Sequence, residues 1–481
     1  MKKINVMLTT NTLGIGCSEK VIQIFAKYID KNIFNVSVCC LIEGGIREKY
    51  IKESGISIYF AEGDPNKFKK IIEENNIDIL HVNTISYPFL ECARSVIPLI
   101  IETSIFGYTH HFTFEDKYID LILFVSKMIT IRYRRKLNLS FKKMKSKSNI
   151  IYNPIDFKAI KIAFSTKIAY IKEKLGITPE DFVIGKIGRR DCSKWSTFLT
   201  ETIYHLRKKH KNFKILLIGA PIEIISEIKR KKLEPFFILL KPISEGNLDI
   251  FYELIDCLVH SSKIGESFGC TLSEAMAHKK PIIVNSTPLR DNAQIEVVDN
   301  YKTGFIVNYP EAGAQAILNL IQNKKLQTKL GQNGFQKALE KFNAKMLVKY
   351  LEKLYLLNLH KKGLISQEIL YFYQNIQINT DINDLERYET EYLQRINNYF
   401  GFLTTSQYLK YFTISWISLI SHIYKNILIP ISLYPVHLIQ KFRGKRNSEL
   451  GFKTEIKPSI KKIYYFLRAI LKGKYYEILY I

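Results

Sequence analysis

Apolar and polar positions over the first 360 residues follow two alternating periods. Short, almost continuous apolar runs come first: INVMLT (4–9), VSVCCLI (36–42), DILHVN (78–83), PLIIETS (98–104), LILFVS (121–126) and NIIYN (149–153). Between them, apolar residues recur every three or four positions; Val21, Ile22, Ile24, Phe25, Tyr28 and Ile29 share one helical face, and REKYIKESG (47–55) reads as a second helix. After Asn153-Pro154-Ile155-Asp156 the pattern restarts, with FVIGKIG, KILLIG, FFILLK, DCLVHSS, PIIVNS and GFIVN as strands and FLTETIYHLRKKH and SEAMAHK as helices. Apolar strands alternating with amphipathic helices predict parallel sheets covered on both faces. Two such series predict an α/β chain of two doubly wound, Rossmann-like domains facing a cleft, over 1–155 and 156–361, the second ending in a return helix. Ligands of such sheets sit beyond the carboxyl ends of the strands, so those loops are where chemistry is expected. From residue 362 the pattern changes: QEILYFYQNI and DLERYETEYLQRINNYFGF read as helices, and a helical, basic extension is expected over 362–481.

Composition changes this picture in one respect. With 481 residues, 47% hydrophobic and 24% charged, the chain is an ordinary globular protein, but its net charge of +26 is not ordinary. Such a surface favours nucleic acid, phosphate-bearing substrates or an anionic membrane. No basic-aromatic strand module or recognition-helix motif is present, so nucleic acid is set aside. The excess is marked in residues 401–481, with thirteen Lys and Arg against three acidic residues. There, FTISWISLISHIYKNILIPISLYPVHLI (412–439) places Trp416, Tyr424 and Tyr434 among Ile and Leu, broken by His422, Lys425, Asn426, Pro430 and Pro435. That suits lying in an anionic membrane interface better than crossing it; a helical cap packed on the catalytic domains, or a dimer contact, is the alternative. The start, MKKINVMLTTNT, reads as a first strand rather than a signal peptide. The seven cysteines contain no Cys-x-x-Cys and no zinc spacing, and their odd number in a long chain implies reduced thiols in a cytoplasm; together with the basic tail, this gives the expectation of a cytoplasmic protein, peripheral on the inner face of the membrane.

Three loops at strand ends could carry chemistry. In TTNTLGIGCSEK, Gly14 and Gly16 would let backbone N–H groups approach a phosphate or sugar at a helix N-terminus; a tight turn with Ser18 near the N-cap is the plainer alternative. Glu19 stands where a dinucleotide fingerprint needs Gly or Ala, which counts against NAD. In KIGRRDCSKW, Gly188 ends a strand, and Arg189 and Lys194 can both reach one diphosphate. In KIGESFGCTLSEAMAHKKPIIV, Thr271 to Glu274 fits a capping box, which would account for Glu274 alone. It leaves unexplained Glu266 in a glycine-flanked turn, and the helix start at Phe268, Gly269, Cys270 and Thr271, whose amides suit an anion.

These residues carry a resemblance. The stretch FYELIDCLVHSSKIGESFGCTLSEAMAHKKPIIV resembles the signature of retaining glycosyltransferases of family 4, which have the GT-B fold, with Glu266 and Glu274 as the Glu-x7-Glu pair. Gly188, Arg189 and Lys194 match the family's upstream loop, Asn153 to Asp156 its interdomain segment, and STPLRDNAQIEVVDNYKTGFIV the segment that follows. The resemblance implies transfer of a hexosyl group from a nucleotide-diphosphate sugar to a hydroxyl acceptor, a glycan or lipid-linked precursor, with retention. It gives Glu266 the donor sugar, Glu274 the ribose, and Arg189 and Lys194 the diphosphate, so that no metal or other cofactor is required. The chain departs from the family at Cys17, where a second Gly is usual, and at Lys279, where a helix-ending Gly is usual. It also lacks Thr-x-His after the PLIIETS strand, where Ile105, Phe106 and Gly107 precede His110 and His111, and has His81 and Asn83 where two His are frequent. His81 and Asn83 either face the cleft or pack. The departures keep a second reading open, a non-catalytic nucleotide-sugar-binding subunit.

Overall fold

The computed structural model describes residues 2–83, 85–107, 118–137, 139–241, 247–287, 291–376 and 382–395. The expected extension beyond residue 395 lies outside the described residues, as do His110 and His111.

Seven strands form the first sheet: β1 (Ile4–Thr10), β2 (Phe34–Cys40), β3 (Ser57–Phe60), β4 (Ile79–Val82), β5 (Leu99–Ser104), β6 (Leu121–Phe124) and β7 (Ser148–Ile150). Their order is β3-β2-β1-β4-β5-β6-β7, and every pairing is parallel. Six strands form the second: β8 (Phe182–Ile187), β9 (Phe213–Ile218), β10 (Phe237–Leu240), β11 (Cys257–His260), β12 (Ile282–Asn285) and β13 (Gly304–Val307). They run β10-β9-β8-β11-β12-β13, again all parallel. Central strands are buried on both faces, which is why they read as unbroken apolar runs rather than alternating ones; β4, β5, β6, β11 and β12 are buried throughout, and so is the edge strand β13. The strand at Ser57–Phe60, absent from the sequence reading, is a four-residue edge strand without a fully buried position.

In each sheet the chain order reverses once, between β1 and β4 and between β8 and β11. Those switch points are where open α/β sheets leave a crevice. Gly14 and Gly16 follow β1, Gly188 follows β8 and Glu266 follows β11, so all three candidate loops lie at switch points.

The chain passes between the sheets twice, and the two passes pair. Ile155 donates its N–H to the Phe342 carbonyl (2.6 Å) and accepts from the Ala344 N–H (3.0 Å). The helix Ala344–Lys361 then packs on the first sheet's side. Its Glu352 accepts the Asp30 N–H at 2.7 Å, Lys349 pairs with the Asp30 carboxylate at 2.9 Å, and the Tyr355 hydroxyl meets His81 Nδ1 at 2.5 Å. Beyond it come a 3-10 helix at Gln367–Tyr373 and an α-helix at Leu385–Arg395, near where two helices were expected. Among the described residues no helix is long and apolar enough to cross a membrane.

Candidate active site

The first loop is built by its backbone. The helix Cys17–Tyr28 starts on Gly16 with no side-chain cap, so Ser18 is not its N-cap; its hydroxyl donates to Glu19 instead (2.8 Å). The buried Arg47 guanidinium reaches the Gly14 carbonyl (3.1 Å), the Gly16 carbonyl (3.5 Å) and the Gln23 side chain (2.8 Å). Arg47 thereby fixes the glycine turn from beneath, a role nothing in the local sequence signals. In the second loop, Gly188 bonds to the Ile218 carbonyl (3.1 Å), Trp195 donates its indole N–H to the Arg189 carbonyl (2.9 Å), and the Arg189 side chain is exposed.

The third loop holds the two carboxylates. Gly269, at φ 96°, is the N-cap of the helix Cys270–Ala277, which has no side-chain cap. The helix therefore starts before Thr271, and the expected capping box does not form. Glu274 is free to face outward: its carboxylate accepts from Lys20 Nζ (2.6 Å) and from the Tyr252 hydroxyl (2.9 Å). Lys20 lies on the Cys17–Tyr28 helix, so this ion pair spans the two sheets. Phe268 packs its ring against Tyr152 and Phe342, at centroid distances of 5.7 and 5.2 Å, and so anchors the turn. The N–H groups of Cys270 and Thr271 head the helix, where the first turn offers no intrahelical partner. The usual glycine position, Lys279, has φ 55° and closes the helix in left-handed geometry without Gly, the next N–H returning to the Ala275 carbonyl at 2.9 Å.

Glu266 is buried and held on both oxygens, by His260 Nε2 at 3.1 Å and Lys194 Nζ at 3.0 Å. Gln294 accepts its backbone N–H (3.2 Å), and its carbonyl accepts the Ala293 N–H (2.8 Å). Burial by itself would raise this carboxyl, but the His260 bond and the Lys194 charge outweigh it and hold the group down at about 2. His260 is pulled down to about 4 by burial and by Lys186, so at neutral pH it is an uncharged donor and Lys194 supplies the charge. Lys186, at the end of β8, is fully buried, and burial pulls it down to about 7. The structure thus brings Glu266, Lys194 and the Gly269 turn together and sets Glu274 one helical turn further on; Arg189 touches none of them. Reading by motif missed Lys20, Tyr252, Lys186 and His260, although Tyr252 and His260 stand inside the quoted signature and Lys20 and Lys186 inside the other two quoted loops. His81 packs: it is fully buried between Tyr355 and Thr103 (2.7 Å), and burial pulls it down to about 3. Asn83 is buried as well, donating to the Ser18 carbonyl (3.3 Å).

Cys17 and Cys270, each the first residue of its helix, are joined as a disulfide with Cα atoms 6.3 Å apart, and the Asn153 amide donates to both sulfurs (3.3 and 3.5 Å). This corrects the expectation of reduced thiols throughout; Cys39, Cys40, Cys92, Cys192 and Cys257 are free. The composition rule failed because it weighs motif spacing, and these partners are 253 positions apart.

The geometry agrees with comparison to known proteins. Residues 168–337 match the family model of glycosyl transferases group 1, so the part of the chain carrying the second sheet and both carboxylates is a glycosyltransferase group 1 domain. The capsular polysaccharide biosynthesis glycosyltransferase CapM of Staphylococcus aureus is 29% identical over 183 residues, 37% of this chain and 46% of CapM. The alpha-monoglucosyldiacylglycerol synthase of Acholeplasma laidlawii is 25% identical over 195 residues, 40% of this chain and 48% of the synthase. The chain thus spans about half the length of the curated relatives it matches. In three dimensions it is similar to Anabaena Alr3699/HepE, solved with UDP and glucose, at a TM-score of 0.60 and 16% identity over 73% of this chain and 99% of that one. The fold is GT-B.

Proposed function

We propose that the protein transfers a hexosyl group from a nucleotide-diphosphate sugar to a hydroxyl of a glycan or lipid-linked acceptor, with retention of configuration. One observation carries the reading: two carboxylates flank the free N-terminus of the Cys270–Ala277 helix, each already matched to a lysine, Glu266 to Lys194 and Glu274 to Lys20. A carboxylate buried beside a cation and helix-terminal amides is suited to reading sugar hydroxyls next to a diphosphate. In this reading Glu266 takes the donor sugar and Glu274 the ribose. Gly188 and the amides from Phe268 to Thr271 border the donor, and the Gly14–Gly16 turn faces the acceptor or phosphate. Arg189 and Lys194 stabilise charge on the departing diphosphate without a metal. UDP is the first nucleotide to test, since Alr3699/HepE was solved with UDP-glucose. Closure of the two domains would exclude water and limit hydrolysis.

The test is Glu266→Gln. Donor hydrolysis and transfer should fall by on the order of 10²-fold or more, while UDP still stabilises the variant in thermal shift, with EDTA making no difference. Near-wild-type turnover, or a strict Mn²⁺ or Mg²⁺ requirement, would sink the assignment. A protein that binds UDP-glucose without hydrolysing it would be the non-catalytic subunit, the reading that the Cys17–Cys270 pairing across the first loop favours.

The basic excess of residues 401–481 supports work at the cytoplasmic face of an anionic membrane, because each surface-bound cation contributes about 1 kcal/mol. Full-length protein should co-sediment with vesicles rich in phosphatidylglycerol, and salt should weaken this. Indifference to such vesicles at low salt argues for an extension packed on the protein instead.

A further inference from the structure

Two groups behind Glu266 have no part in the reaction as read above, and the geometry points to a job for both: Lys186 and His260 act as a relay that fixes the imidazole tautomer and so holds Glu266 in place while the donor exchanges. This rests on the reading of Glu266 as the sugar-facing carboxylate.

Lys186 on β8 and His260 on β11 come from adjacent strands. Lys186 Nζ donates to the Ser261 carbonyl (2.9 Å), stands 3.5 Å from His260 Nδ1 and lies over the Trp195 ring, 5.2 Å from its centroid. At pH 6, below its pKa of about 7, Lys186 is an ammonium and offers only donors. The nitrogen facing it must therefore present a lone pair, and the Thr271 hydroxyl, 3.4 Å from the same Nδ1, can donate there too. The imidazole proton is left on Nε2, which is the atom that meets Glu266 Oε1 at 3.1 Å. With the opposite tautomer, two lone pairs would face each other across that contact. The titratable groups around the relay are Glu266 in the turn after β11, Lys194 in the loop after β8, and the two members themselves.

The arrangement matters because Lys194 has two uses. It holds Glu266 Oε2 at 3.0 Å here, and it is also the cation read as a diphosphate ligand. When a diphosphate draws Lys194 away, the His260 bond is the remaining side-chain hold on the carboxylate. His260 and Lys186 are thus positioning residues. They touch no substrate, and their effect should appear in turnover rather than in nucleotide affinity.

The test uses the full chain with ¹⁵N in the histidine rings, the His260 signals being those lost in His260→Gln. At pH 6, where Lys186 is an ammonium and His260 is still neutral, His260 should be the Nε2–H tautomer, and in Lys186→Met its two nitrogen shifts should move toward each other as the tautomers mix. An Nδ1–H tautomer or an imidazolium in the wild type overturns the relay, and so do shifts unchanged by Lys186→Met. The wild-type spectrum decides even if a variant fails to fold. With UDP-glucose as the probe, His260→Leu should lower kcat for hydrolysis on the order of 10²-fold. UDP affinity should hold within about threefold, and His260→Gln, whose amide restores the N–H donor to Glu266, should recover most of the rate. Equal losses in Leu and Gln, or a loss of UDP affinity matching the loss of rate, would show a merely structural histidine. A wild type that hydrolyses no UDP-glucose fails the proposed function for that sugar, and the tautomer then decides the relay alone.

Discussion

Lys186 shows how a single residue can weaken the fold in order to serve a site. Its ammonium is buried, and burial pulls its pKa from 10.5 down to about 7. Between those values the unfolded chain holds a proton that the folded chain does not, so stability rises with pH across that window; below pH 7 the desolvation cost is present in full. Lys186→Met removes this dependence. The variant's melting temperature relative to wild type should therefore be highest near pH 6 and decline as pH rises toward 9 or 10. A difference independent of pH would mean that the ammonium is not desolvated. The slope is the test, because the Ser261 carbonyl loses its donor at every pH, which shifts the whole curve by about 1–3 kcal/mol. His260 and Glu266 act in the same direction on the acid side. Both bind protons less readily in the folded chain, so stability falls as pH drops through 6.5 to about 4 for the first, and from 4.5 to about 2 for the second. Of these residues only Glu266, with Glu274, Arg189 and Lys194, could be read from the sequence. Their signal is spacing within a loop, whereas Lys186, Lys20 and Tyr252 acquire meaning only when another strand or helix arrives beside them.

At the scale of elements, strands buried on both faces were legible because such strands must be apolar throughout; of two partly exposed edge strands, Phe237–Leu240 still carries an unbroken apolar run, whereas Ser57–Phe60 starts on a polar residue and lacks one over its length. Helix starts were harder. The Thr271–Glu274 pattern fits a capping box in sequence, yet left-handed Gly269 begins the helix first and releases Glu274 to Lys20 and Tyr252. The turn ahead of it depends on Gly265, at φ 73°, where an added Cβ would run into the Asp291 carbonyl oxygen. Gly176, at φ 67°, has open space around the same position. The two glycines form a matched pair. Gly176→Ala should cost about 1 kcal/mol of left-handed strain and leave function intact. Gly265→Ala adds a backbone clash to the same strain, so it should destabilise more and displace Glu266. UDP-glucose hydrolysis and thermal melts of both variants check this; equal behaviour would mean that the Asp291 segment yields freely and that the turn is not what positions the carboxylate.

For the molecule as a whole, the restart of the strand-helix pattern after Asp156 was enough to predict two sheets, but the ties between them were not visible. Each joins groups far apart in sequence: Lys20 to Glu274, Ser126 to the Ser267 carbonyl (2.8 Å), and Glu296 to the N–H groups of Lys127 and Met128. The covalent tie, Cys17 to Cys270, joins the two helix N-termini that border the proposed donor and acceptor sites. It closes a loop across a sequence separation of 253, long enough that the chain-entropy argument puts its stabilisation near the top of the usual range, at about 5 kcal/mol. Thiol titration of the denatured, unreduced full chain should count five free thiols, the remaining cysteines, and reduction should release two more. Reductant should lower the melting temperature of the wild type. Cys17→Ser should melt at the lower temperature with or without reductant, because it leaves Cys270 with no partner to lose. Seven thiols before reduction, with a melting temperature that ignores reductant, would mean that the two sulfurs only pack. The two halves would then be held by the ion pairs and the paired chain crossings at Ile155 and Phe342–Ala344, and the cleft would be free to open without any change of oxidation state.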